Sequence, residues 1–142
     1  MSLTLEQCRT IIAAALAKGA EQGFNSLAVA VLDAGGHLKA FERQDGTSNL
    51  RPQIAHGKAF GALGMGLGSR ALFERAQQQP YFVQAINALA GGALVPVPGG
   101  VLVKDASGAT LGAVGVTGDT SDNDEICAVA GIKAAGLLAE TG

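Results

Sequence analysis

The run GGVLVKDASGATLGAVGVTGDTSDNDE, Gly99 to Glu125, reads as two short apolar strands around a turn, followed by an acidic helix start. Val101 to Lys104 leads into Asp105-Ala106-Ser107-Gly108, a turn composition, and the chain returns through Thr110 to Thr117. In the returning strand Gly112, Gly115 and the following Gly118 recur every third residue, so they alternate between its two faces. Glycine weakens a strand unless another backbone or a ligand must come close. The spacing therefore predicts either tight helix packing on the sheet or a ligand against the backbone. Asp119, Asp122, Asp124 and Glu125 would then form the rim of a ligand site.

The same pattern occurs upstream. Leu27 to Leu32 reads as a fully buried strand, Asp33-Ala34-Gly35-Gly36 as a turn, and Leu38 to Phe41 as the returning strand. Ahead of it, Thr4 and Gln7 form a capping box, and Leu5, Cys8, Ile12, Ala15, Leu16 and Gly19 follow at helical spacing, with an end near Gly23. Between the hairpins Pro52 opens a helix to about Leu63, Ser69 caps another through Gln78, and Pro80 starts a third to Ala90. Ser121 and Asp124 repeat the capping-box pattern before a last helix drawn from about Asp122 to Glu140. The order α-β-β-α-α-β-β-α predicts an α+β fold with one antiparallel sheet and helices packed on it. No linker interrupts the chain, so residues 1–142 are expected to form one domain.

Composition narrows the function classes. Of the 142 residues 48% are hydrophobic and only 15% charged, against about 25% charged in ordinary soluble domains. Apolar surface is therefore expected to be left over, and a homo-oligomer would cover it. A net charge of −2, no Trp and a single Tyr offer neither the basic stripe nor the stacking platforms that nucleic acid needs. No apolar stretch is long enough to cross a membrane, and Met1 to Gln7 does not read as a signal peptide, so the expectation is a cytoplasmic protein. Cys8 and Cys127 give no metal or redox pair and read as small buried hydrophobes.

Few residues carry chemistry. Gly64-Met65-Gly66-Leu67-Gly68 matches no phosphate-binding fingerprint, and an acidic helix start after Gly118 would repel a phosphate. Two histidines, His37 and His56, cannot make a zinc site with distant cysteines. On the helix after Pro52, however, Gln53, His56 and Phe60 share one side while Ala55, Ala59, Ala62 and Leu63 share another. His56 is thus either a solvated helical histidine or a group standing over a pocket; an axial haem ligand needs one imidazole and a flat apolar slot. Lys58 lies on a different face, as a snorkelling lysine or a cation for a propionate, and Arg43, Arg51 and Arg70 offer the same charge. Asp124 and Glu125 are helix-start carboxylates or, pointing back toward Thr117, a general base or metal ligand.

Taken together, Asp33-Ala34-Gly35-Gly36-His37-Leu38, Ile54-Ala55-His56-Gly57-Lys58-Ala59, Pro98-Gly99-Gly100-Val101 and Leu111-Gly112-Ala113-Val114-Gly115-Val116-Thr117-Gly118 before Asp124-Glu125 resemble the haem-binding GlcG/HbpS-like family. That family includes the C-terminal domain of PduO-type corrinoid adenosyltransferases, and the resemblance covers nearly the whole chain. It implies a profilin-like α+β domain, an antiparallel five-stranded sheet between helical layers, and frequent higher oligomers. Members bind or degrade haem or accompany catabolic operons, so the resemblance names no substrate. Gly61 stands where the family's Lys-Ala motif is often followed by a hydroxyl residue, and Arg51-Pro52 marks a distinct branch.

Three functions remain open on this reading. The first is a haem-binding or haem-responsive protein with His56 as axial ligand, Lys58 or Arg51 at the propionates, Phe60 beside the imidazole, and Gly99, Gly100 and Gly112 to Thr117, Gly115 included, as the pocket wall. The second is a hydrolase or deaminase acting on an unsaturated carboxylic acid, with an arginine on the carboxylate and Asp124 or Glu125 activating water; it lacks a nucleophile motif. The third is a structural or regulatory subunit without catalytic activity.

Overall fold

The strand Ala28–Asp33 (β1) shows how this chain builds its layers. It reads Ala-Val-Ala-Val-Leu-Asp, and its first five residues are buried. Its faces differ in size rather than polarity: Val29 and Val31 enter one cluster, Ala28 and Ala30 another. The large face takes two helices, the small face one helix at very short range.

In the computed structural model, which describes residues 2–142, β1 pairs with Leu38–Arg43 (β2) and with Thr110–Thr117 (β4). Gly100–Lys104 (β3) pairs with β4 and with Leu138–Glu140 (β5), giving five strands in the order β2-β1-β4-β3-β5, every neighbouring pair antiparallel. Both expected hairpins form. Their turns are closed alike: the Asp33 carboxylate accepts the backbone N–H of Gly35 and His37, and that of Asp105 accepts Ser107 and Ala109. Hydrogen bonds hold both carboxyls below their usual range, the His37 N–H foremost at Asp33 and the Ser107 hydroxyl, with the Ala109 N–H, at Asp105.

On the large face lie Leu5–Gln22 (α1) and Ser121–Ala134 (α5). Cys8, Ile11, Ile12 and Ala15 of α1 and Cys127, Ala128 and Ile132 of α5 pack on Val29, Val31, Val101, Val103, Val114 and Val116. The Thr4–Gln7 capping box and the Gly23 stop are both present. Both cysteines are buried and unpaired, and burial pushes the Cys127 thiol up to about 11.

On the small face lies Arg51–Met65 (α2), with Ser69–Gln78 (α3) against it and Pro80–Leu89 (α4) against α3. A methyl group on Gly115 would overlap the Ala55 carbonyl, and one on Gly100 the Lys58 carbonyl. Gly100 of β3 and Gly115 of β4 thus form the seat of α2. The expected pocket wall over Gly100 and Gly115 is corrected accordingly, because helix backbone fills that space.

Three helix ends also depart from the sequence expectation. The last helix does not run to Glu140: it ends at Ala134, Gly136 turns the chain at φ 74°, and Leu138–Glu140 becomes the fifth strand. Ser121 is not the cap, since Thr120 accepts the Asn123 N–H one residue earlier. Ser69 caps nothing either; its hydroxyl donates to the Val97 carbonyl at 2.7 Å and accepts the Gly100 N–H at 2.7 Å.

Gly115→Ala is expected to destabilise by at least about 1–3 kcal/mol, the usual cost of overpacking, because the obstructing atom is helix backbone. Gly64→Ala on the open side of α2 meets nothing within 4 Å and is expected to stabilise by about 0.5–1 kcal/mol. Urea unfolding of the two variants checks both signs.

Candidate functional site

Helix α2 presents its chemistry on two flanks. Pro52 near its start fixes the first turn, and at its far end Gly66, at φ 74°, stops it. At about 100° per residue, His56 lies about 140° around the helix from Arg51, while Lys58 returns to within about 20° of Arg51.

On the His56 flank the loop after α4 forms the opposite wall. Gly91 and Gly92, at φ 70° and 83°, turn the chain back, and the Val95 N–H donates to the Gly57 carbonyl. The absence of a side chain at Gly57 lets Ala93 and Val95 close on α2. Between loop and helix lies an open cleft of about 470 Å³, lined chiefly by apolar groups of Leu50, Pro52, Ile54, Ala93 and Val95, with Gln53 and His56 as its polar side chains. The half-buried His56 ring stacks on Phe60, centroids 5.8 Å apart and planes at 18°. Among the described residues neither ring nitrogen has a hydrogen-bond partner. His37 is exposed and faces Asp33 at 3.3 Å.

On the other flank Lys58 is only 2% exposed, so it is neither a snorkelling lysine nor a cation open to a propionate. Its Nζ donates to Asp124 Oδ2 at 3.0 Å and to the Val116 carbonyl at 3.0 Å. Asp124, 1% exposed, accepts the Asp119 N–H at its other oxygen. Burial pushes the Asp124 carboxyl up and the Lys58 ammonium down, against their mutual attraction. Gly99, at φ 118°, leaves the room that Nζ occupies. It therefore belongs to this junction of α2, β4 and α5 and not to a pocket wall.

Glu125 is held apart from this pair. Both its oxygens accept from the Arg70 guanidinium, which also reaches Asp122. Asp124 and Glu125 are thus both engaged, and neither has a free carboxylate aimed into a cavity as a water-activating base requires. Among the described residues no cluster of three or more His, Cys, Asp or Glu side chains is placed to hold a metal ion.

Arg51 stands at the end of β4. Its Nη1 donates to Thr117 Oγ1 at 2.7 Å and its Nε to Ser48 Oγ at 3.2 Å. Thr117 is fully buried. Arg51 lines a second cavity, about 350 Å³, with Asn25, Ser26, Gly46, Thr47, Ser48 and Gly118. The structure thus brings Arg51 and Thr117 together and His56 with Phe60, and it separates these pairs. The sequence reading missed the Gly91–Val95 wall and Ser48; the Gly91-Gly92 pair was the available signal for the former.

No helix is long and apolar enough to cross a membrane among the described residues. A family model described as haem-degrading protein, HbpS-like, matches residues 3–133. Comparison with curated proteins finds no match. Among solved structures, that of HbpS is 29% identical with a TM-score of 0.80, covering 94% of this chain and 89% of its own. A PduOC:heme complex is 20% identical with a TM-score of 0.86, covering 97% and 98%. The Klebsiella pneumoniae protein ORFY is 23% identical with a TM-score of 0.84, covering 96% and 92%. At such identities the last two show the shared fold.

Lys58→Met is expected to cost about 3–5 kcal/mol, because it leaves Asp124 buried without its partner. The double variant Lys58→Met, Asp124→Asn is expected to recover part of that loss. Chemical denaturation of the two variants beside the parent measures it; a fully additive double would remove the coupling.

Proposed function

The chain belongs to the HbpS-like haem-degrading family, and from that premise we propose that it binds haem in the cleft beside His56. The observation that carries the reading is the His56 imidazole itself. It stands on a cleft of about 470 Å³ with mainly apolar walls, has no hydrogen-bond partner among the described residues, and is oriented by stacking on Phe60. A planar apolar macrocycle with one axial position to fill asks for that donor set. The PduOC:heme complex, whose fold this chain shares, pairs that fold with the same class of ligand.

His56 would hold the haem iron, and Leu50, Pro52, Ile54 and Val95 would keep water from the bound group. Phe60 fixes the imidazole plane from one turn along the helix. When bound, haem would supply an iron for oxygen chemistry, and the chain would bind and orient it. Lys58 takes no part at the propionates, because its charge is spent on Asp124. The hydrolase reading loses support from the engagement of Asp124 and Glu125.

Titration of the chain with ferric haem is expected to give a sharp, saturable Soret band at one haem per chain. His56→Ala is expected to abolish it, and His37→Ala to leave it unchanged. A broad shift that is identical in the parent and in His56→Ala would mean adsorption to apolar surface and would remove His56 as the ligand.

A further inference from the structure

Two cations line the flank of α2 that faces the end of β4, and only one of them reaches the buried carboxylate. Lys58 spends its charge on Asp124 at 3.0 Å. Among the described residues, Arg51 has no carboxylate within 4 Å, and its partners are the hydroxyls of Thr117 and Ser48. Burial is the main influence on both buried groups, and the Arg51 charge adds to the depression of Lys58 and opposes the rise of Asp124. One positive charge is therefore left uncompensated, and it sits on the wall of the 350 Å³ cavity.

We propose that this cavity, between Asn25-Ser26, Gly46-Thr47-Ser48 and the Arg51–Thr117 pair, binds a small organic monocarboxylate at a site separate from the His56 cleft. Nε and one proton of Nη1 are committed to Ser48 and Thr117. Those two bonds hold the guanidinium plane still, while Nη2 and the second Nη1 proton remain for a carboxylate, which accepts them side by side. A guanidinium already fixed loses little side-chain entropy when the ligand arrives.

The rest of the lining selects the charge state. Asn25, Ser26, Thr47 and Ser48 are neutral amides and hydroxyls, suited to the polar groups of an organic acid, and they add no second cation for a dianion. Asp45 and Arg43 line the adjoining cavity, which shares Asn25 and Ser26, and the acid on the other side, Asp119, does not compete for Arg51. Its Oδ2 accepts the Asn25 N–H, and its Oδ1 accepts the Thr120 N–H and the Asn123 amide. The first turn of α2 holds no acidic residue either. A cavity of about 350 Å³ falls at the small end of ligand pockets, which sets the size of the acid and excludes a macrocycle. Its lining shares no residue with the His56 cleft.

The test uses the haem-free full chain and sodium benzoate, with benzamide as the neutral isostere and inorganic phosphate as the competing anion. Calorimetry is expected to show saturable benzoate binding at one site and none for benzamide or phosphate. In Arg51→Gln benzoate affinity is expected to fall at least tenfold. Backbone amide shifts of the labelled parent provide a reading that needs no variant: benzoate is expected to move Ser26, Gly46, Ser48 and Gly118. Any of four results overturns the proposal: no saturable binding, equal binding of benzamide or phosphate, unchanged benzoate affinity in a folded Arg51→Gln, or shifts confined to Gln53, His56 and Gly92. The last would assign the acid to the haem cleft, and a failed haem titration alone would leave the Arg51 site standing.

Discussion

Helix α2 rests on the sheet backbone to backbone, and the rest of the molecule is arranged around that contact. Gly100 and Gly115 carry no side chain because the Lys58 and Ala55 carbonyls occupy the space. Ala28, Ala30 and Ala113 complete a small-residue floor, and Ala55, Ala59 and Ala62 a small-residue underside of the helix. Such an interface buries little area per residue, so the apolar driving force comes mostly from the opposite face, where valines meet α1 and α5. The small face contributes closeness instead. Closeness brings helical side chains to the rim of the sheet, where they meet the end of β4 and the loop after α4.

The helical period then sorts the chemistry. Arg51 and Lys58, seven residues apart, fall on one stripe and reach the end of β4, while His56 falls on the flank that faces Val95. One helix thereby serves two environments of opposite character, an apolar cleft with an imidazole and a polar cavity with a guanidinium bonded to hydroxyls. Mixing them would be costly: a guanidinium among apolar walls would lose its water without gaining hydrogen-bond partners.

The sequence made much of this legible. The hairpins follow from turn residues, the α2 start from Pro52, and the separate faces of His56 and Lys58 from their spacing of two. The glycine series announced a close approach and left open what approached. Helix and ligand demand the same bare backbone, and only the tertiary fold decides between them. Lys58 misled for a related reason. A lysine on a helix of small residues looks solvated, and the carboxylate that draws it inside lies 66 residues away. The fifth strand was hidden in what reads as helix, because Leu138 to Glu140 has only three residues, too few for a period of two to show.

Why a pair as demanding as Lys58 and Asp124 is kept inside follows from the smoothness of the interface around it. Alanines and glycines make up much of this contact, with Leu32 and Leu102 of the floor against Ala59 and Ala62, so over part of it a slip of one turn, about 5.4 Å, would exchange small residues for small ones. The ion pair removes that degeneracy. Buried pairs contribute little net stability when intact, but separating the partners strands a charge at a cost of about 3–5 kcal/mol. A slipped α2 would strand both Lys58 and Asp124, and with them the hydrogen bonds to the Val116 carbonyl and the Asp119 N–H. The pair therefore selects one register, and that register places the His56 ring in its cleft and the Arg51 guanidinium against Thr117.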